Sequence, residues 1–217
     1  RTMNKIILEK VNNVIRDNAP YWAGEYAIAQ RYFSSDIRTQ QSDVEWIQLQ
    51  MFKEWAGSGV YGRGKVTVLS LVQKSASRLK EVKPGTPVSE LEEIKQDMQF
   101  ASDEFDHYIL LARAYQYVAS KDDMTIDEMC HIDEGYKMIE MRQAYRDQPH
   151  GDITVELTEG GGLGLYFGTK DAFMKQDIQS DLDKRIVEFA EATINDETHH
   201  MKWRFSCALN AGISPAE

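Results

Sequence analysis

The chain has 217 residues, 42% of them hydrophobic and 28% charged, and a formal net charge of −10. That length buries a sizeable core within one domain, and that charge argues against nonspecific binding to nucleic acid or an anionic membrane surface. Two isolated cysteines, Cys130 and Cys207, form no CxxC pair, which excludes a zinc ribbon or rubredoxin-type iron site and suits a reducing compartment. No apolar run reaches the length of a membrane span. The opening RTMNKIILEK has no signal-peptide architecture, so a cytoplasmic protein is expected.

In chain order the periodicity predicts helix almost throughout. Residues 4–17 form a first stretch, and Pro20 sits near the start of a second, YWAGEYAIAQRYF. SDVEWIQLQMFKEW is helical, GSGVYGRG interrupts at 57–64, and VTVLSLVQKSASRL resumes with helical period. After the loop KPGTP at 83–87 a long helix runs from Ser89 to about Ser120. KDDMT turns the chain into a helix over 126–147, ended before QPHGD. Two last helices, 152–177 and 181–208, are joined at DIQSD, with Ser180 and Asp183 spaced as a capping box. No repeat or linker stands out. The expectation is a single all-α domain over 1–217.

Three of the five histidines follow an Asp-Glu pair at fixed spacing: DEFDH at 103–107, DEMCH at 127–131 and DETHH at 196–200. Residues i and i+3 share a helix face, so Glu and His so placed can ligate one metal ion. Two such helices, plus one glutamate from each of two others, supply the ligands of a di-iron or di-manganese carboxylate bundle. Carboxylates bridge and neutralise two cations, and one imidazole per metal leaves open positions for oxygen. DEFDH and DETHH lie deep within their helices. DEMCH begins one: Thr125 is a natural N-cap with Glu128 at N3, a capping box, so it is read as structural. At 1.5 Å rise per residue Glu104 lies roughly 24 Å from its helix end and Glu128 about 4 Å past its helix start, so antiparallel neighbours would hold them at different depths.

The ligands from the other two helices follow from context. Glu159 and Glu197 are equally far from the turn near residue 178, which makes Glu159 the choice, with Glu156 one turn earlier as fallback. Among Glu25, Glu45 and Glu54, Glu25 in AGEYAIA has small and apolar neighbours, where a carboxylate is expensive unless a metal compensates it. Glu45 and Glu54 have polar neighbours and read as amphipathic surface. Asp103 and Asp196 are placed to accept the second N–H of a ligating histidine, as outer carboxylates do, or else to be solvated charges. The mid-helix glycines of EGGGLGLYFG, each costing about 1 kcal/mol relative to alanine, are read as opening a cavity beside the metals or permitting a π-bulge, with Gly161, Gly162, Tyr166 and Phe100 as candidate pocket residues.

Over roughly residues 20–205 the set Glu25, Glu104-x-x-His107, Glu159 and Glu197-x-x-His200 resembles the ferritin-like di-iron carboxylate superfamily. WAGEYAIA is similar to the first-ligand helix of the hydroxylase subunits of bacterial multicomponent monooxygenases, and DEFDH and DETHH resemble their Asp-Glu-x-Arg-His. The Arg of that pattern is Asp106 in one copy and His199 in the other, and the gap from Glu25 to Glu104 is longer than usual, implying an inserted helical segment around 36–85. The resemblance implies a ferritin-like four-helix bundle with additional helices, in which the DEMCH helix is the crossover between two hairpins. It further implies two iron ions (or manganese, or a mixed pair) and O₂ as co-substrate. The activity implied is an oxygenase or oxidase that hydroxylates, epoxidises, N-oxygenates or desaturates a small organic substrate. A ferredoxin or reductase would supply electrons, and a homodimer is allowed. The rivals are iron oxidation or peroxide removal as in ferritins and rubrerythrins, a radical generator, which would want a tyrosine where Leu111 stands, and a non-catalytic helical subunit.

Overall fold

The computed structural model describes residues 2–57, 67–146, 148, 151–176 and 180–210. Among them are eight helices and no strand: α1 Thr2–Phe33, α2 Gln40–Gly57, α3 Thr67–Glu81, α4 Val88–Ala119, α5 Ile126–Met129, α6 Asp133–Arg146, α7 Gly151–Met174 and α8 Asp181–Asn210. The all-α expectation therefore holds. No helix among the described residues is long and apolar enough to cross a membrane. The chain divides into two compact units, Arg1–Thr39 with Ala144–Glu217, and Gln40–Gln143.

The first unit is built on α1, α7 and α8, each in contact with the other two. The two stretches expected on either side of Pro20 are one helix. Proline there forfeits a backbone donor and crowds the carbonyl of residue 16. Packing on both sides of it holds the helix together: Val14, Ile15 and Trp22 lie against Leu163, Met201 and Phe205, and Phe33 sits 4.9 Å from the Phe173 ring. Pattern alone favours a break at proline; tertiary contact overrides it.

The α1–α7 seam explains the glycines. A Cβ at Gly164 would come within 2.5 Å of the Trp22 carbonyl oxygen; one at Gly168 would strike the Tyr26 carbonyl, and one at Gly160 the Trp22 indole. Glycines four residues apart thus form a groove into which the α1 backbone sinks. Gly161 and Gly162 differ, since their nearest neighbours would be Glu25 Cγ at 3.6 Å and Tyr166 Cε2 at 3.8 Å, ordinary contact distances. The pairs Trp22 with Gly164, Tyr26 with Gly168 and Phe33 with Gln176 advance together, so α1 and α7 run parallel. The Tyr26 hydroxyl donates to Asp171 Oδ2 at 2.7 Å across the same seam. At its end the Arg38 guanidinium pairs with Asp183 and lies over the Phe33 and Phe173 rings, 5.2 and 5.1 Å from their centroids. Asp183 also completes the expected capping box: the Ser180 N–H donates to Asp183 Oδ2 at 3.0 Å, and the Asp183 N–H to Ser180 Oγ at 3.1 Å.

In the second unit α4 packs against both α2 and α3. Gly85, at φ 94°, makes the α3–α4 turn, in which the Lys83 N–H donates to Thr86 Oγ1. Lys74 and Arg78 of α3 pair with Asp97 and Glu93 of α4. Gln40 Nε2 donates to the Val118 carbonyl at 3.0 Å, and the Trp55 and Tyr108 rings lie 4.7 Å apart, so α2 runs antiparallel to α4. The helix expected over 126–147 is interrupted between α5 and α6. Cys130 and Met129 turn inward while His131 and Ile132 are exposed, and the Cys130 thiol donates to the Ile132 carbonyl at 3.2 Å. Gly135 fits directly against Cys130 Sγ, so the break lets the two chain segments close on each other.

The groove assigns opposite effects to neighbouring glycines. Gly168→Ala should lower stability by about 1–3 kcal/mol, because the obstacle is backbone and cannot give way. Gly162→Ala should be neutral or stabilising by up to about 1 kcal/mol, because alanine is the better helix former. Thermal melting of both variants checks this; equal melting temperatures would remove the groove as the reason for the glycines.

Candidate metal centre

The long helix α4 needs no side-chain cap at its N-terminus, where Pro87 precedes it, and ends at Ser120 in the left-handed region with its N–H on the Gln116 carbonyl. Its buried stripe runs through Ile94, Phe100, Ala101, His107, Leu111, Ala114, Tyr115 and Val118, a 3.6-residue period. Glu104 falls on that stripe between Phe100 and His107 and is half-buried. The facing stripe of α2 is Asp43, Ile47, Gln50, Met51 and Glu54, all buried.

Glu54, Glu104 and His107 come together at this α2–α4 seam, with one candidate ligand atom from each lying within 4.8 Å of the others. His107 is fully buried and Glu54 is 9% exposed. His107 Nδ1 stands 3.7 Å from Glu54 Oε2, too far for an N–H···O hydrogen bond. Two donors each about 2.1 Å from a shared ion stand about 3.6 Å apart at an angle near 120°. One imidazole and two carboxylates is a mixture suited to first-row transition metals such as iron and manganese. These residues therefore fit a bound metal ion.

The other unit carries the second pair on α8. Phe189, Ala190, Thr193, Glu197, His200 and Met201 form its buried stripe, and His200 Nδ1 lies 3.6 Å from Glu197 Oε2. Both motifs thus present Nδ1 to a carboxylate at nearly one distance. In the first the carboxylate comes from the neighbouring helix, in the second from one turn earlier on the same helix.

The remaining expected residues are placed as follows. Glu25 is exposed on α1; Glu54, read from its polar neighbours as surface, is buried on α2 and groups with Glu104 and His107. A signal for it was present: Ile47, Met51 and Glu54 recur at i, i+4 and i+7, which puts Glu54 on the apolar face whatever its immediate neighbours. Glu45 is exposed on α2. Glu159 and Glu156 lie in α7, but their side chains fall outside the described residues. Asp103 is half-buried and accepts from Gln99 Nε2 at 2.6 Å; Asp196 is half-buried on α8. Phe100 is buried on α4 and Tyr166 on α7, where its ring meets Phe189 edge-on at 5.0 Å.

DEMCH is a cap. The Thr125 N–H donates to Glu128 Oε2 at 2.7 Å and the Glu128 N–H to Thr125 Oγ1 at 3.2 Å, while His131 is exposed. The Lys121 ammonium, 2.7 Å from Glu128 Oε1, and the Thr125 N–H hold the Glu128 carboxyl below its ordinary value of 4.5.

Two outcomes follow. Glu54→Ala should weaken Fe(II) or Co(II) binding by more than about tenfold while Glu25→Ala leaves it unchanged, as read by titration of metal-free protein; the reverse pattern would return the ligand role to α1. For the cap, a carboxyl depressed in the folded state contributes stability that is full above its unfolded value and is lost as pH falls through the folded value. Glu128→Gln should therefore melt below the parent chain at neutral pH, and the gap should close as the pH is lowered through and below the carboxylate range. A gap that persists in acid would show that the charge is not what the cap uses.

Comparison with protein-family models, curated proteins and solved structures finds no match to this chain. Its function is read from the geometry of these residues.

Proposed function

We propose that this chain is a di-iron carboxylate oxidoreductase, an O₂-activating oxygenase or oxidase acting on a small organic substrate. The observation that carries the reading is the Glu54–Glu104–His107 group buried at the α2–α4 seam, with the Glu197–His200 pair buried on α8 as its counterpart. The ferritin-like fold belongs to the same proposal, with α2 in place of α1 as the helix that brings a carboxylate to Glu104 and His107. Iron held there would supply electron exchange with O₂ and its activation.

The residues themselves do the rest. Buried carboxylates offset the charge of a divalent ion, and a neutral imidazole adds a donor without adding charge. Leu111 and Phe100, one turn on either side of the Glu104–His107 pair, and Met51 on α2 are buried and keep bulk water from the donors. An external donor such as a ferredoxin or reductase supplies electrons.

Metal-free protein titrated anaerobically with Fe(II) should take up about two equivalents per chain. His107→Ala and His200→Ala should each lose about one, and admission of O₂ should produce a transient visible absorption together with oxidation of an added organic substrate. O₂ consumption with no organic product would indicate iron oxidation or peroxide removal instead. Full metal content in both histidine variants would overturn the ligand assignment.

A further inference from the structure

A cavity of about 230 Å³ opens in the second unit along the α2–α4 seam. Trp55 of α2 and Tyr108 of α4, which follow Glu54 and His107 in the sequence, form part of its wall. Their rings lie 4.7 Å apart, and the buried Tyr115 adds a third aromatic surface two turns further along α4. Met51, Met124 and Met129 complete the lining with polarisable thioethers. The mouth is different. Asp122 and Asp123, both exposed, border it from the loop after α4. Among the described residues neither has an ion-pair partner, and the nearby Lys121 ammonium is engaged by Glu128 at 2.7 Å.

Each part of this lining favours positive charge on an apolar body. Aromatic faces carry negative potential and attract an alkylammonium. No cation is among the lining residues, and the Lys121 ammonium near Tyr115 is neutralised by Glu128, so an anionic ligand would meet the two carboxylates at the mouth. A neutral apolar molecule would fill the interior and leave the mouth unused. A water occupies about 30 Å³ of liquid, so the cavity takes a molecule of about seven to ten heavy atoms.

We propose that this cavity binds a small primary or secondary amine in its ammonium form, its apolar body against Trp55, Tyr108 and Tyr115 and its ammonium at Asp122 and Asp123. As a binding site it stands on the lining alone. As the assignment of substrate class it rests on the metal chemistry proposed above, which the same α2–α4 seam carries.

Three probes with nearly one skeleton and three charges test it: 2-phenylethylamine, 2-phenylethanol and phenylacetate, titrated into metal-free protein by calorimetry. The amine should bind about tenfold tighter than the alcohol, about 1.4 kcal/mol, and phenylacetate should bind weakest. Asp122→Asn with Asp123→Asn, both at exposed positions, should bring the amine down to the affinity of the alcohol and leave the alcohol unchanged. Ala112→Leu, which fills the cavity from α4, should abolish binding of all three; if it lowers the melting temperature, Ala112→Val replaces it. Equal binding of amine and alcohol, amine binding untouched by the double asparagine variant, or no binding of any probe at millimolar concentration would overturn the proposal. Amine binding to metal-free protein with no amine-dependent O₂ uptake by iron-loaded protein would support the binding site and overturn the substrate assignment, whereas failure to hold iron would overturn the metal chemistry, so the two failures are distinguishable.

Discussion

A carboxylate taken out of water must be compensated, and the α2–α4 seam takes one out. Glu54 is aimed from a buried stripe toward His107 and Glu104, and removing a charge from water without a partner costs several kcal/mol or shifts its protonation. Glu104 and His107 are the polar groups that the seam brings to Glu54. The antiparallel register set by Gln40 with Val118 and Trp55 with Tyr108 leaves Glu54 no other depth on α4. The same constraint recurs on α8, where Glu197 is buried one turn from His200.

Local physics was legible in the sequence; tertiary choice was not. The capping boxes at Thr125 and Ser180 are set within four residues, so spacing alone places them, and DEMCH separates from the two interior motifs on that ground. Glu-x-x-His reads equally well because i and i+3 share a face in any helix. The first-helix carboxylate is a question of which helix lies against α4. Neighbour polarity favours Glu25, and periodicity along α2 favours Glu54; the burial follows the periodicity. Pro20 is the converse case, a local signal for a break that packing on both flanks cancels.

The glycines of α7 show how one residue type serves two readings. In sequence they suggest emptied space. In the structure three of them, four apart, are filled by the backbone and indole of α1, while Gly161 and Gly162 stand at ordinary contact distances. Spacing distinguishes the two classes, because only positions that share the face toward α1 are forced to be small. Among the described residues, space of ligand size is walled by aromatic and thioether side chains on α2, α4 and α5.

The parallel packing of α1 on α7 bears on how the first unit moves. The Trp22 and Tyr26 carbonyls sit in notches at Gly164 and Gly168, and between successive notches α7 presents side chains. A carbonyl cannot pass over these without separating the helices. Translation along the seam is thus opposed in both directions: a shift of four residues, about 6 Å, would move one of these contacts off the glycines, to position 156 or 172. The glycine notches therefore fix the axial register of α1 on α7 as firmly as they fix its closeness.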